Sequence, residues 1–426
     1  ARETISDYTG VKIPKPCTAI VSQDGTGDYD VLRNEDASEV IQRAIDYAAE
    51  RGGGCTIIKE GEYNVYKPLM IQKSNVTLQG VGQATKLVGR NNDAIIKVWH
   101  PNPGPRPQYN ESRPENIIVE KILFQGDSNT CICSQYVTEL FLKDLKFQRV
   151  KNGIKIEQIW NSNFYNIQFD NCVRSIHIRA PKYGDRTADL FIYHFRSTNN
   201  IKDYAVYIEP NSVQQLHIIG SLIENLNQAK KLIYIGENNI NIKLISGTIL
   251  TDAECAIENY GFGMKIIGCE FSNFGDILIA GANTTVESCT FGGGCRLIIT
   301  ERTVRVTGCG FEGCDYMLKD IPSAIVVGHE SEWKCRCLIE GNFFHWLKTK
   351  FVIYIRKING VQIVGNQFSG INFDGSVHSS YAIYNPNGYD KLLITNNIFI
   401  DTENYIPIYK PAGIIQENIG FQNQEL

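Results

Sequence analysis

Seven side chains between positions 155 and 234 have the types that move protons or neutralise anions, and they recur every 22 to 30 residues. Lys155, His177, Tyr207 and Tyr234 form one series, and Glu157, Arg179 and Glu209 form a second. Each lies within a short run rich in Ile or Val. If Ile154 and Ile156 point inward, alternation turns Lys155 and Glu157 outward, and the same phase exposes His177 with Arg179 and Tyr207 with Glu209. Were these runs neighbouring strands, Glu157 and Glu209 would stand two strands apart, about 9–10 Å between Cα atoms.

Two chemistries fit that set. Carboxyl separations of about 6.5–9.5 Å suit inverting glycoside hydrolysis, in which one acid protonates the leaving oxygen and the other activates water. Arg179 between the two would keep one carboxylate ionised. In the second chemistry a uronic-acid polymer is broken by β-elimination. Arg179 neutralises the substrate carboxylate, His177 or Lys155 takes the C5 proton, and Tyr207 protonates the leaving oxygen. The catalytic candidates are thus Glu157, Arg179, Glu209, His177 and Tyr207. Lys155, Tyr234, Tyr183 and Arg186 are the substrate-binding candidates. The last two belong to the insertion from Pro181 to Asp189, which would wall the groove. A plain solvated ladder competes with both chemistries, because outward residues on any strand must be soluble and a Glu–Arg–Glu stack contributes little energy. Glu254 and Glu258, with Asp276 on the next repeat, form a second acidic patch.

The elements that would position these residues are short strands. The chain of 426 residues contains 56 Ile and 36 Asn but only 3 Met, a mixture of strand and turn formers. One amphipathic helix stands out. Asp36 and Glu39 form a capping-box pattern, Val40, Ile41, Ala44, Ile45 and Ala48 share a face, and Gly52-Gly53-Gly54 ends it. Beyond it, segments ending in Phe124, Phe147, Phe169, Phe195, Phe271, Phe291, Phe311, Phe344, Phe368 and Phe399 recur mostly every 20 to 28 residues, with Ile223 and Ile249 filling the gap. A second column reads Cys269, Cys289, Cys309, Asn342, Asn366, Asn397. A propeller blade needs about 40 residues and four antiparallel strands, roughly twice this repeat. A parallel β-helix, advancing one strand spacing per turn, fits the period. The expected architecture is all-β: an N-terminal arm over 1–34, then a single domain over 35–426. That domain comprises a capping helix over 35–54 and about 12 coils over 55–426.

Composition excludes several classes. Hydrophobic residues make up 43% and charged residues 21%, which rules out a disordered, collagenous or coiled-coil chain. Net charge is −4, from 42 basic and 46 acidic residues, so no nucleic-acid partner is expected. No apolar run approaches the roughly 18 residues of a membrane span. The chain opens Ala-Arg-Glu, with neither initiator Met nor signal peptide, which points to a processed or excised form. Thirteen cysteines leave at least one without an intramolecular disulfide partner. Cys269, Cys289 and Cys309 read as stacked interior or turn residues of their column, and disulfides between neighbouring rungs, in an oxidising exterior or a disulfide-rich thermophile, are the competing reading. His and Cys do not recur at zinc-ligand spacing, so no metal is expected. Asp24-Gly-Thr-Gly-Asp28 has the look of a calcium loop but lacks further oxygen ligands, and reads as a Gly-rich turn. No cofactor is expected.

The stretch from Asp36 to Leu87 resembles the opening of pectate-lyase-superfamily proteins. It runs from the helix to Gly52-Gly-Gly54, Gly61-Glu-Tyr63, Pro68-Leu69, Ser74-Asn-Val-Thr-Leu-Gln-Gly80-Val-Gly82 and Ala84-Thr-Lys-Leu87. The resemblance implies a right-handed parallel β-helix whose open end is plugged by the helix. It also implies polysaccharide or cell-surface glycan as partner and an extracellular, secreted or virion-surface location. Glycosidases, lyases, epimerases and viral tailspikes share this opening. Polysaccharide cleavage is the leading expectation, and non-catalytic glycan binding by a tailspike or adhesin, or a structural surface role, is the alternative. Tailspikes of this fold are usually homotrimers, which makes Trp333, Trp346 and the segment near Phe343–Phe351 candidates for a subunit contact or for attachment to a larger assembly. Activity motifs of the superfamily depart here. The Asn-x-Asp, Asp-Asp, Gly-His-Gly and Arg-x-Lys set of polygalacturonases is not legible, and Arg179-Ala-Pro181-Lys-Tyr-Gly-Asp-Arg186 only echoes the lyase Arg-x-Pro-x-x-Arg strand at a different spacing.

Overall fold

The computed structural model describes residues 5–6, 12–13, 17–100, 113–182, 185–199, 201–225, 231–332, 334–377 and 379–420. They group into two compact units, Ala1–Leu216 and His217–Leu426.

In the first unit the strands stack in parallel, each rung over the last. Cys17–Ser22 pairs with Gly54–Ile58, which pairs with the N-terminal half of Val76–Gly89. The long strands Glu115–Gly126, Thr130–Gln148 and Asn152–Asp170 follow in the same sense. A second series runs from Leu69–Ile71 through Ala94–Trp99 and the long strands to Arg174–Ile178 and Tyr204–Ile208. The 19-residue strands Thr130–Gln148 and Asn152–Asp170 turn corners without breaking. They do so at residues in the left-handed region, among them Asn161 (φ 49°) and Asn166 (φ 52°). Asparagine tolerates that region better than other side chains, which is one physical use of an Asn-rich composition.

Helix Ser38–Ala49 buries Ile41, Ala44, Ile45 and Ala48, the face its spacing predicts, while Val40 is only half-buried. Its N-terminus differs from the expected capping box. Asp36 accepts hydrogen bonds from the Ser38 amide (2.9 Å) and hydroxyl, while Glu39 turns away to pair with Lys67 at 2.7 Å. Thr56 Oγ1 donates to Ala44 O (3.1 Å) and ties the helix to the first rungs.

The second unit coils through three parallel series. One stacks Lys231–Ile235, Cys255–Asn259, Asp276–Ile279, Leu297–Ile299, Ser323–Val327, Phe351–Ile355, Tyr381–Tyr384 and Ile406–Tyr409. The other two run beside it, from Ile242–Ile245 to Ile414–Gln416 and from Leu222–Asn225 to Ile398–Phe399.

The interior columns are those the repeat predicts. Phe124, Phe147 and Phe169 stack at 4.9 and 4.6 Å in the first unit. In the second, Phe271, Phe291, Phe311, Phe344, Phe368 and Phe399 stack at 4.4–5.3 Å, and Ile223 and Ile249 occupy the same register below them. Each ring buries a large apolar surface and meets its neighbour in an offset stack. Beside this column runs a polar one. Asn342 Oδ1 accepts from Cys309 N, Asn366 Oδ1 from Asn342 N, and Asn397 Oδ1 from Asn366 N, at 2.9–3.0 Å. Cys269, Cys289 and Cys309 extend it. Disulfides between rungs are not formed, and all thirteen cysteines are free. Each thiol in the column lies within hydrogen-bond reach of a carbonyl of the rung beneath as well as of the neighbouring sulfur of the column. Cys269 reaches Leu244 O and Cys289 reaches Ile266 O, both at 3.5 Å.

Candidate active site

The outward columns of the first unit start from register. Ile154 pairs with Ile176 and then Val206, and Lys155 pairs with His177 and then Tyr207. The ladder continues past the strand ends through Arg179 N donating to Ile156 O and Glu209 N donating to Ile178 O, both at 2.9 Å. Glu157, Arg179 and Glu209 therefore follow on one flank beside Lys155, His177 and Tyr207. The face reaches further toward the N-terminus than the sequence pattern suggests. Lys97 and Cys133 precede Lys155 in one column, and Trp99 and Gln135 precede Glu157 in the other.

Within this set the structure joins two residues directly. His177 Nε2 lies 2.8 Å from Glu209 Oε1, and the other oxygen of Glu209 accepts the Ala180 amide at 3.0 Å. The imidazole is 9% exposed. Burial pushes its pKa below the ordinary 6.5, and the hydrogen bond and charge of Glu209 oppose that shift only in part. Tyr207 packs its ring 5.1 Å from the imidazole and 4.7 Å from the ring of Tyr204. Lys155 is half-buried and Arg179 is exposed.

Glu157 sits differently from the expectation of an open outward carboxylate. It is 7% exposed, because the chain beyond Arg179 folds over it. Its Oε1 accepts from Gln135 Nε2 at 3.0 Å and from the Lys182 amide at 3.1 Å, while Arg179 Nη1 stands 3.8 Å from Oε2. Burial of a carboxylate requires such donors. Gln135 was legible only through register, one repeat before Glu157 in the same column, and the two amides of the turn left no mark in the residue pattern.

The insertion is anchored at both ends. Lys182 N holds it over Glu157, and Thr187 N donates to Ser212 O at 2.9 Å. Asp185 and Arg186 are half-buried between these anchors, and Tyr183 lies outside the described residues. Tyr234 belongs to the second unit, where its ring lies 6.1 Å from Tyr260 and Lys231 Nζ stands 5.9 Å from its centre. Of the second acidic patch, Glu258 pairs with Lys231 and accepts the Tyr260 hydroxyl at 2.8 Å, and Asp276 is held by Arg296 at 2.6 Å and Lys319 at 2.8 Å. These carboxylates are already neutralised by partners. The Asp24 carboxylate turns back on its own loop, accepting the Thr26 amide at 3.0 Å. Among the described residues no group of three or more His, Cys, Asp or Glu is placed to hold a metal ion, and no helix is long and apolar enough to cross a membrane. Trp333, one of the aromatics considered for a subunit contact, lies outside the described residues, whereas Trp346 and Phe343 are exposed.

No protein-family model matches the chain, and no curated protein does. Solved structures match it in fold. The catalytic unit of a thermostable GH87 alpha-1,3-glucanase from Streptomyces thermodiastaticus is similar over 88% of this chain and 68% of that one, with 14% identity and a TM-score of 0.55. A mutant tailspike protein of E. coli bacteriophage HK620, in complex with a pentasaccharide, matches 92% of this chain and 78% of its own at 12% identity and a TM-score of 0.55. The likeness to ORF18 of Geobacillus virus E2 is looser. It covers 82% of this chain at 13% identity and a TM-score of 0.43, and there the chain spans 62% of the other's length. The fold shared with these structures is a right-handed parallel β-helix.

Proposed function

We propose that this chain is a carbohydrate-active β-helix protein that cleaves an acidic polysaccharide by β-elimination on the outer face carrying His177. The observation that carries this reading is the contact between His177 and Glu209 at 2.8 Å, on an imidazole that burial keeps neutral. With Nε2–H donating to Glu209, Nδ1 holds the lone pair of a general base near neutral pH. The base takes the C5 proton of a uronate. The C4=C5 double bond forms as the C4–O bond breaks, and the Tyr207 phenol supplies the proton to the leaving oxygen. Arg179, exposed on the same flank, neutralises the substrate carboxylate as charge develops on it. Lys155 and Arg186 line the path as further cationic contacts, and Trp99 offers an aromatic surface for a sugar ring.

Hydrolysis by Glu157 and Glu209 fits less well. Both carboxylates serve as acceptors, Glu157 for Gln135 and the Lys182 amide and Glu209 for His177 and the Ala180 amide, so neither is set up as the proton donor that hydrolysis needs. The carbohydrate class is supported by the fold likeness to a glucanase and to a tailspike holding a pentasaccharide. An extracellular or virion-surface setting, alone or as a trimer within a larger assembly, belongs to the same reading. The test is a panel of uronic and neutral polysaccharides, following reducing ends and the ultraviolet absorbance of an unsaturated product. Both signals together support elimination. Reducing ends alone would mean hydrolysis, and binding without either would make the chain an adhesin.

A further inference from the structure

A second reactive pair lies in the second unit, on rungs that the elimination does not use. His345 belongs to strand Phe343–Leu347 and Ser369 to strand Gln367–Ile371, and the parallel register sets the two side by side. Phe344 and Phe368, their neighbours in sequence, are fully buried in the aromatic column, so His345 and Ser369 project to the outer side. His345 Nδ1 lies 2.7 Å from Ser369 Oγ, the reach of a nucleophile and its base. The preceding rung contributes Glu312, the register partner of His345. Acid, base and nucleophile thus stand one per rung, at the strand spacing of about 4.8 Å.

The surroundings of this pair are not those of a solvated column. The imidazole stacks on Phe343 (centroids 5.3 Å, 29°) and on Trp346 (4.6 Å, 27°), which fixes its plane. Trp346 has φ 50°, a left-handed conformation costly for a bulky side chain. Across from it stands Gly370, where a Cβ would come within 2.6 Å of the indole Cδ1. Backbone strain and a glycine seat are both spent on an indole that remains 55% exposed, so burial does not account for them. Ser369, at 5% exposure, is shielded from bulk water beside that ring.

We propose that Ser369 and His345 are the nucleophile and base of an esterase site that removes acyl groups from glycan hydroxyls. Trp346 and Phe343 form its sugar platform and Glu312 acts as a positioning residue. The Ser369 hydroxyl gives its proton to His345 Nδ1 as Oγ bonds to the ester carbonyl carbon. The bond between that carbon and the sugar oxygen breaks, and the imidazolium returns the proton to the departing oxygen. Water then attacks the acyl-serine through the same base, releasing the carboxylic acid and restoring the hydroxyl. The glycan as acyl donor rests on the carbohydrate reading above, whereas the reactivity of Ser369 does not.

The full chain is treated with a fluorophosphonate probe and peptide-mapped, and hydrolysis of 4-nitrophenyl acetate and of an O-acetylated polysaccharide is followed in parallel. One adduct on Ser369 is expected. It is lost in Ser369→Ala, and His345→Ala lowers ester turnover about 10²-fold or more. Glu312→Gln keeps the adduct but lowers kcat for 4-nitrophenyl acetate with KM unchanged, and Glu312→Asp restores part of the rate, a response that lost packing alone would not give. The adduct on the unaltered chain is read without any variant, so a misfolded mutant does not obscure the result. No adduct on Ser369, under conditions that saturate a control serine hydrolase, overturns the site. An adduct without acetate release from the polysaccharide overturns the glycan substrate. Backbone cleavage, scored separately, is unaffected in Ser369→Ala, so the two proposals fail independently.

Discussion

His177 and Glu209 stand on neighbouring rungs, 32 residues apart in sequence, and their side chains meet at 2.8 Å. One oxygen of Glu209 takes the imidazole and the other takes the Ala180 amide, so this carboxylate fixes both the ring and the start of the turn that covers Glu157. Removing the base is therefore expected to abolish cleavage, while removing its orienting partner weakens it. His177→Ala should lower the rate of product formation about 10³-fold and Glu209→Gln about 10²-fold, the range of general-base catalysis. Melting temperatures recorded alongside should move little for Glu209→Gln, whose amide still accepts one of the two bonds. An undiminished rate in His177→Ala would remove this face from consideration.

Burial holds the His177 pKa below 6.5 against the pull of Glu209. The folded chain thus gives up this proton more readily than the unfolded chain. The contribution to stability is fully present above about pH 6.5 and is lost as the pH falls through the folded-state value. The base correspondingly stays unprotonated, and the rate stays high, at pH values below those of an exposed histidine. Glu209→Gln removes the charge that raises this pKa, so the acid limb should move lower still. A histidine titration by NMR on both proteins reads the shift, and an acid limb displaced upward in Glu209→Gln contradicts the assignment.

Glu157 is expected to matter more for the turn than for turnover. Glu157→Ala leaves the Gln135 amide and the Lys182 N–H without their acceptor, at a cost of about 2 kcal/mol in unfolding free energy. Glu157→Gln should cost less and retain most of the cleavage. Chemical denaturation of the two variants separates this from a proton-transfer role, in which the Gln variant would be stable and inactive.

Asn366 accepts from both Asn342 N and Asn342 Nδ2 and donates to Ile339 O and Asn397 Oδ1. Asn366→Ala should destabilise the second unit by about 3 kcal/mol, since buried partners lose their bonds. Asn366→Cys should cost less, because Cys309 already occupies the same column two rungs earlier and its thiol donates to a carbonyl. Equal losses for the two would mean that volume, and not hydrogen bonding, sets the column.

All thirteen cysteines are thiols. Denatured protein should react with a full complement of thirteen equivalents of a thiol reagent, and the melting temperature should be the same with and without reductant. A reductant-sensitive melt would reveal a disulfide.

Much of this protein is written in its period. Alternation of Ile and Val with polar residues set which side chains point outward, and the recurrence of Phe set the aromatic stacks. From these followed the parallel coil and the shared flank of Lys155, His177 and Tyr207. Those are consequences of a two-residue strand period and of a repeat near twenty residues, both visible in any one-dimensional reading. What the linear pattern left open lies where the chain leaves the strands. The Ala180 and Lys182 amides reach two carboxylates, Glu157 is covered instead of open, Trp346 takes a left-handed corner beside Gly370, and the column cysteines stay thiols that reach carbonyls of the rung beneath. Each depends on backbone angles in a corner or loop and on what the neighbouring rung offers. Such partners lie 20 to 30 residues away and have no fixed spacing, so only the folded chain brings them into contact.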